Sequence, residues 1–226
     1  MTVDIKPLSL VTVKTTLPQV PYPPVESRPH IRTDRLLLRP YHESDDEELF
    51  RVIRSQPDIM VWTARGTPDE SIESTKEFIQ KRLPPNDATN YDFIICLAST
   101  GEMIGIGGSH MRSGEMGWPI LGYMLRKEAW GKGYGTEFLK GFLEAWWQLP
   151  REDADVTVDE STVEGAQEGD LKTEAIVGIT VKENAASQNV LKKAGMKLVK
   201  VWEAENMHPE GGMVDLYGFV AWRPNV

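Results

Sequence analysis

The chain has 226 residues, of which 40% are hydrophobic and 26% charged, and its formal net charge is −9. This length suits one domain with its own core, and no apolar run approaches the roughly 18 residues of a membrane span. The negative charge argues against binding to nucleic acids, which requires a basic face. We therefore predict neither a nucleic-acid partner nor a membrane partner.

The cysteine content indicates a reducing compartment. Cys96 is the only cysteine, so no internal disulfide can form, and we expect the cytoplasm. The N-terminus has no basic start followed by an apolar block, so we expect no secretory signal. Cys96 lies inside an apolar, strand-like run without a nearby histidine, which favours a small buried hydrophobe over a nucleophile. We predict no metal site.

Residues 1–30 are predicted to form a proline-rich N-terminal arm ahead of a domain that spans residues 31–226. Six prolines in this segment exclude a helix and favour extended backbone. Val11-Thr12-Val13 could add a short edge strand. Two interpretations stay open, a flexible arm and a strap over the domain or over a dimer partner. The protein could be a monomer or a homodimer.

Local signals then divide the domain into helices and strands. Ser44–Glu47 and Thr67–Glu70 are capping boxes, and the second predicts a helix that runs to about Leu83. Apolar runs predict strands over 91–98, 102–111 and 116–125, the first two joined as a hairpin. The next helix carries apolar residues at helical spacing and ends before Pro150.

The segment 151–170 contains eight acidic residues and one arginine, a net charge of −7. Such a charge run is typical of a mobile surface loop, so we predict an acidic loop insertion here. A strand at 175–181, a helix from Asn184 and two final strands follow. The resulting order of elements predicts an α/β fold in which helices flank one mixed sheet.

The glycine-rich turn Trp130–Thr136 lies between a predicted strand and a predicted helix. Glycines at 131, 133 and 135 leave several backbone N–H groups uncovered at a helix N-terminus, which favours a phosphate or pyrophosphate ligand. A nucleoside-triphosphate loop would need Ser or Thr after Lys132. A dinucleotide fingerprint would need its third glycine one residue later, which disfavours a nucleotide-binding oxidoreductase.

The turn resembles the Gln/Arg-x-x-Gly-x-Gly/Ala loop that binds the pyrophosphate of coenzyme A in the GNAT superfamily of N-acetyltransferases, with Trp130 in the first place. Asn184–Met196 resembles the Asn-x-x-Ser…Leu-x-Lys-x-Gly-Phe helix of the branch that includes the ribosomal-protein N-terminal (alanine) acetyltransferases. Ile31–Pro40 resembles the opening strand of the same branch. The resemblance covers about residues 31–222.

The resemblance implies a GNAT-type fold, in which a mostly antiparallel central sheet has splayed fourth and fifth strands. It also implies acetyl-CoA as cofactor, coenzyme A as product, and direct attack by a primary amine in a ternary complex. The acceptor would be a small molecule or a protein N-terminus. The implied cofactor-binding residues are Met124, Leu125, Trp130, Gly131, Lys132, Gly133, Tyr134, Gly135, Thr136, Asn184 and Ser187.

Two catalytic positions depart from the family pattern. Leu191 stands where many members have a tyrosine as general acid, so Ser187 is the candidate that could approach the sulfur. Ser187 could equally contact only the cofactor backbone. The amide near Tyr123 is implied to polarise the thioester carbonyl. Ile120 replaces a glutamate that the branch often has, which leaves no obvious general base.

His110 is the best substitute for that base by residue type. Glu115 and deprotonation through ordered water stay open as alternatives. The two departures also motivate a different function, a non-catalytic acyl-CoA-binding or regulatory module of the same fold.

For the acceptor, the resemblance points to the connection between the first two helices and to the last two strands. Trp62 and His208, which lie in or beside those segments, and Trp118, at the start of the fourth strand, are the candidate substrate-binding residues. Each tryptophan could equally belong to the core. An aromatic wall would favour an acceptor with an apolar body.

Overall fold

The computed structural model describes residues 4–224. In chain order its strands are β1 Leu10–Pro18, β2 Ile31–Arg32, β3 Leu36–Arg39, β4 Tyr91–Leu97, β5 Met103–Met111, β6 Ile120–Leu125, β7 Arg151–Asp159, β8 Ala175–Val181, β9 Lys197–Glu205 and β10 Met213–Trp222. Eight of them form one sheet in the order β2-β3-β4-β5-β6-β8-β10-β9, and β1 and β7 form a separate ribbon.

The sheet is antiparallel except where β6 meets β8. Those two strands are parallel and share a single register pair, Ile120 with Val177. Beyond this pair they separate toward the ends of both strands. The α/β fold with a mostly antiparallel, splayed sheet is therefore confirmed.

The helices cover both faces of the sheet. They are α1 Asp46–Leu49, which continues as a wider turn through Arg54, α2 Pro57–Met60, α3 Ile72–Gln80, α4 Tyr134–Gln148 and α5 Ala185–Lys193. Because side chains alternate along a strand, Ile94 of β4 packs in one cluster with residues of α1 to α3. Its neighbours Phe93 and Ile95 pack with α4 and α5 on the opposite face.

The capping box at Thr67–Glu70 does not start a helix, and its Asp69 instead forms a buried cluster of polar contacts. Asp69 is buried and forms ion pairs with Arg54 and Arg65, each at 2.8 Å. It also accepts a hydrogen bond from the Thr75 hydroxyl at 2.7 Å. The helix α3 begins at Ile72, with Ser71 at its N-cap position, later than the sequence predicts.

The acidic segment is not a loop along its first half, and that prediction is wrong. Residues 151–159 form β7, which pairs antiparallel with β1 from Leu10–Asp159 to Pro18–Arg151. Ala154, Val156 and Val158 pack into a third apolar cluster against β8, β9 and β10. The acidic side chains Asp153 and Asp155 point to solvent. The ribbon thus shows the alternation of a half-buried strand.

The N-terminal arm runs along the domain surface and supports the strap interpretation. The Lys6 amide donates to the Val201 carbonyl of β9 at 3.0 Å, and the Tyr22 amide donates to the Ala88 carbonyl at 2.9 Å. Between them lies β1. Arg28 is buried and donates to the carbonyls of Asp87, Asn90 and Asp92.

No helix within residues 4–224 is long and apolar enough to cross a membrane.

Candidate active site

The open edge of β6 is the first component of the site. The Arg126 amide donates to the Ile104 carbonyl at 2.9 Å, and these residues are opposite each other in the β5–β6 register. Since antiparallel partners alternate between bonded and unbonded pairs, the backbone groups of Tyr123 and Leu125 point away from β5. They face the gap that opens where β8 departs. Within the described chain, the amides of both residues donate to no backbone carbonyl across that gap.

The indole of Trp130 is hydrogen-bonded to one of these outward groups, the carbonyl of Leu125. Its Nε1 donates to the Leu125 carbonyl at 2.7 Å, while 41% of the residue stays exposed. This bond ties the start of the glycine-rich turn to the end of β6. Met124, the residue between the two outward-facing positions, directs its side chain into the cluster formed by α1 to α3.

The turn itself presents a run of free amides. Gly131 has φ +71° and Gly133 has φ +82°, and Gly133 caps the N-terminus of α4. Among the described residues, none of the six amides from Gly131 to Thr136 donates to a protein acceptor. Converging N–H groups at a helix N-terminus suit a diphosphate. This geometry fits the anion site that the sequence predicts.

A clamp that sequence reasoning missed holds this helix end. Glu137 in the first turn of α4 accepts from the Thr33 hydroxyl at 2.6 Å and from the Arg35 amide at 2.7 Å, and it pairs with the Arg35 guanidinium at 2.6 Å. Arg35 also donates to the Lys132 carbonyl and lies over the Tyr134 ring. Partial burial would raise the pKa of Glu137, but these hydrogen bonds lower it overall.

The cap of α5 lies across the gap from the β6 edge. The Asn184 side chain accepts from the Ser187 amide at 3.0 Å, as expected for an N-cap. The Ser187 hydroxyl is 3.5 Å from the Tyr123 hydroxyl. Burial raises the pKa of Tyr123, and the contact with Ser187 offsets part of that rise. Two hydroxyl groups from separate elements therefore meet beside the gap, which sequence reasoning did not anticipate.

Leu191 occupies the position of the family's tyrosine and is committed to packing. Its side chain is 3% exposed, and a Cβ placed on Gly178 of β8 would lie 2.7 Å from its Cδ2. Gly135 of α4 faces the same interior region. A Cβ there would lie 3.3 Å from Val190 and 3.4 Å from the Tyr123 ring. The helix α4 can therefore approach α5 and β6 closely at this point.

His110 lies on the opposite face of β6 from the Tyr123 ring. A Cβ on Gly122 would lie 3.5 Å from the His110 Cε1 atom, and Gly122 shares its face with Met124, on the side of α1 to α3. The residue as a whole is exposed, but the protein around its ring removes part of the ring's hydration. This desolvation lowers the pKa of His110. Asp92 offsets part of this shift, and Arg82 adds to it.

Glu115, the alternative base, contacts a different group. Its carboxylate accepts from the Trp202 indole at 3.2 Å. Ile120 packs at the edge of the third cluster, so no carboxylate replaces the branch's glutamate at that point.

Trp118 does not line a pocket, which corrects its prediction as a substrate-binding residue. It is fully buried in the third cluster between the ribbon and the sheet. Its Nε1 donates to the Thr162 hydroxyl at 2.7 Å. Because the ribbon was not predicted, the sequence offered no partner that would bury this side chain. Trp62, in contrast, is 45% exposed beyond α2.

We therefore expect substitutions of the two tryptophans to differ in their effect on the free energy of unfolding. Trp118→Ala removes a buried aromatic side chain and should lower the free energy of unfolding by about 3–5 kcal/mol. Trp62→Ala is the matched control and should change it by less than about 0.5 kcal/mol. Denaturant unfolding followed by circular dichroism measures both. Equal losses in the two variants would contradict the core placement of Trp118.

His208 was also predicted to bind substrate, but protein groups engage both of its ring nitrogens. Its Nε2 lies 2.9 Å from the Thr63 carbonyl, and its Nδ1 lies 3.3 Å from the Glu210 carboxylate. The structure therefore brings the Trp62 and His208 segments together, as the resemblance implies. It leaves the Trp62 side chain, rather than the His208 ring, available to a ligand.

Comparison with known proteins agrees with this geometry. The acetyltransferase (GNAT) domain family matches residues 35–197, well over half of the chain. A GNAT-family acetyltransferase structure from Bacillus anthracis superposes with a TM-score of 0.63 at 20% identity, covering 86% of this chain and 99% of that one. The chain belongs to the GNAT acetyltransferase family.

Two further solved structures carry ligands. A ribosomal L7/L12 alpha-N-protein acetyltransferase in complex with coenzyme A has a TM-score of 0.62 and 16% identity, covering 86% of this chain and 98% of that one. A spermidine N-acetyltransferase from Vibrio cholerae in complex with CoA and spermine has a TM-score of 0.61 and 15% identity, covering 84% and 97%. At these identities the likeness establishes the fold.

Proposed function

We propose that this chain transfers an acetyl group from acetyl-CoA to a primary amine of a small molecule or of a protein N-terminus, by direct attack in a ternary complex. One observation carries the proposal. The β6–β8 ladder ends at Ile120 and Val177, and the unpaired β6 edge that follows leads to six free amides at the α4 N-terminus. An elongated ligand with a diphosphate at one end fits this arrangement.

The residues present fit acetyl-CoA. The amides of Gly131–Thr136 would hold its diphosphate, and Lys132 and Arg35 add positive charge beside them. The outward backbone groups of Tyr123 and the outward amide of Leu125, whose carbonyl is bonded to Trp130, would pair with the pantetheine arm, next to Asn184 and Ser187. When bound, acetyl-CoA supplies an acetyl thioester that is open to attack by an amine.

The chain's own groups surround the expected position of that thioester. The outward amide of Tyr123 is a preorganised donor for negative charge that develops on the carbonyl oxygen, and such donors contribute about 3–4 kcal/mol in comparable sites. The Ser187 hydroxyl would supply a proton to the departing sulfur. The Tyr123 hydroxyl lies 3.5 Å from that of Ser187. Holding the reactants together contributes about 7–11 kcal/mol more.

On the other face of β6, His110 is our candidate for the group that takes the amine proton. Desolvation holds its pKa below the ordinary value of 6.5. The imidazole is therefore neutral near pH 7, as a proton acceptor must be.

The pH dependence tests this role. Below the folded-state pKa of His110 the ring becomes protonated and cannot take the proton of the bound ammonium, so log kcat/KM should fall with slope one below this pKa and level off above it. His110→Gln should lose this plateau, because only free amine then reacts, and log kcat/KM should keep rising with slope one toward the pKa of the amine, with a kcat about 100-fold lower at neutral pH. A pH series with thiol detection measures both slopes. Identical profiles would exclude His110 in favour of Glu115 or water.

The acceptor side contains exposed apolar groups, which support an acceptor with an apolar body. Val61 is 42% exposed and Trp62 is 45% exposed, in the segment that follows α2. The spermine and ribosomal-protein relatives show that this fold serves both small amines and protein N-termini. The lack of cysteine pairs supports the cytoplasm as the location.

A second function is favoured by Leu191 and Ile120, whose packed side chains replace two reactive groups of the family. A non-catalytic acyl-CoA-binding module would bind acetyl-CoA without turnover. Calorimetry with acetyl-CoA, together with thiol release across spermidine, tryptamine and alanine-initiated and serine-initiated peptides, separates the two. Binding with amine-dependent thiol release supports the enzyme, and binding without release across the panel supports the module.

A further inference from the structure

The two sides of the splayed sheet each carry a segment that reaches the mouth of the gap. On the β6 side, residues 61–66 follow α2, whose Ile59 packs in one cluster with Ile106 of β5 and with Met124. On the β8 side, residues 206–212 form the turn between β9 and β10. Since Leu216 of β10 pairs with Val181 at the end of β8, this turn projects beyond that end.

His208 connects these segments through specific contacts. Its Nε2 lies 2.9 Å from the Thr63 carbonyl, which also accepts from the Gly66 amide. The ring lies directly on Gly66, where an added Cβ would be 2.5 Å from the ring carbons. Gly66 has φ +73°, a conformation that favours glycine. The side chain is 18% exposed, so the contact is largely shielded from solvent.

Each segment is also held together by hydrogen bonds of its own. The His208 contact therefore connects two segments that are each ordered without it. The Asn206 amide donates to the Gly212 carbonyl at 2.8 Å, and the His208 amide donates to the Asn206 side chain at 3.1 Å. On the other side, the Thr63 hydroxyl donates to the Met60 carbonyl at 2.7 Å. Breaking the His208 contact should therefore release two intact segments from each other.

We propose that His208 is a positioning residue that clasps the two halves of the splayed sheet across the mouth of the gap, and thereby fixes the acceptor side of the site. The proposal rests on the proposed function for its kinetic consequence. The clasp holds Trp62 and Val61 on one rim against Met207, 74% exposed, on the other. The acceptor is then confined between two apolar rims whose separation His208 sets.

The clasp has a direct physical test. In His208→Phe the ring stays on Gly66, but the bond to Thr63 is lost. Amide hydrogen exchange should rise by about fivefold in both 61–66 and 206–212, since one hydrogen bond of ordinary strength is removed. His208→Gln keeps a donor and should restore part of the protection. Glu210→Gln is the matched control, because it leaves the Thr63 contact intact.

The kinetic test uses the same variants with acetyl-CoA and the best amine of the panel. His208→Phe should raise the acceptor KM by about fivefold while the KM for acetyl-CoA changes by less than about twofold. A residue that only stabilised the fold would change both constants or neither. His208→Gln should lie between His208→Phe and the wild type.

The outcomes are distinguishable. Exchange that rises in only one segment, or in neither, overturns the clasp whatever the enzyme does. Coupled exchange with an unchanged acceptor KM overturns its role in holding the acceptor. If the wild type binds no acetyl-CoA by calorimetry, the proposed function fails, and the exchange experiment still decides the clasp.

Discussion

Gly133→Glu should weaken the binding of acetyl-CoA by at least about 100-fold. The substitution forces a side chain onto a residue with φ +82° at the N-terminus of α4 and adds a negative charge among the free amides of 131–136. Hydrogen bonds to charged groups contribute roughly 1.5–3 kcal/mol each, so the loss of two accounts for this factor. Isothermal titration calorimetry with coenzyme A and acetyl-CoA measures it directly.

Gly169→Glu is the matched control for backbone strain and charge. Gly169 has φ +80°, and no atom lies within 4 Å of the Cβ it lacks. It lies beside β1, where its amide donates to the Thr12 carbonyl. This variant should bind coenzyme A like the wild type. Gly133→Ala, which adds strain without charge, should be intermediate. Unchanged affinity in folded Gly133→Glu protein would remove the anion site from this turn.

Ser187→Ala should lower kcat by about 100-fold and leave the affinity for acetyl-CoA within about threefold. A positioned general acid contributes at least that factor, whereas the Ser187 amide still donates to the Asn184 cap after the change. Tyr123→Phe should have a smaller effect, because its ring keeps the packing on Phe138 at 6.0 Å between centroids. Steady-state assays measure kcat, and single-turnover kinetics with saturating amine measures the chemical step separately from binding.

The opposite pattern would give Ser187 a different role. If Ser187→Ala weakens acetyl-CoA binding about tenfold with kcat intact, its hydroxyl contacts only the cofactor backbone, and the proton comes from elsewhere. Melting temperatures matched to the wild type would show that neither variant acts through unfolding.

The features that the sequence predicted well depend on neighbouring residues. The Asn184 cap, the Gly131–Gly135 turn and the β4–β5 hairpin are specified within a few positions, since caps and turns require particular residue types. The splay of the sheet followed from the family resemblance, and the single β6–β8 register pair confirms it.

The features that it missed depend on distant partners. Asp69 of the second capping box forms a buried ion pair with Arg54. Contacts that hold the Glu137 carboxylate come from Arg35, 102 positions earlier in the chain. Segment 151–159 does alternate between apolar and acidic residues, as a half-buried strand would. Its charge nevertheless suggested a loop, because the strand that pairs with it, β1, lies far away in the N-terminal arm. The same ribbon buries Trp118, which the family resemblance had suggested as a pocket residue.

The pairing of β1 with β7 has a consequence for the order of folding. The Ser9 amide and the Asp159 carboxylate that it contacts are 150 positions apart, so this ribbon closes a loop that contains most of the chain. Joining such distant residues carries a loop-closure cost that the hairpins β4–β5 and β9–β10 avoid. We therefore expect the ribbon to close after these hairpins, and until it closes Trp118 and its cluster lack the cover that β1 and β7 provide.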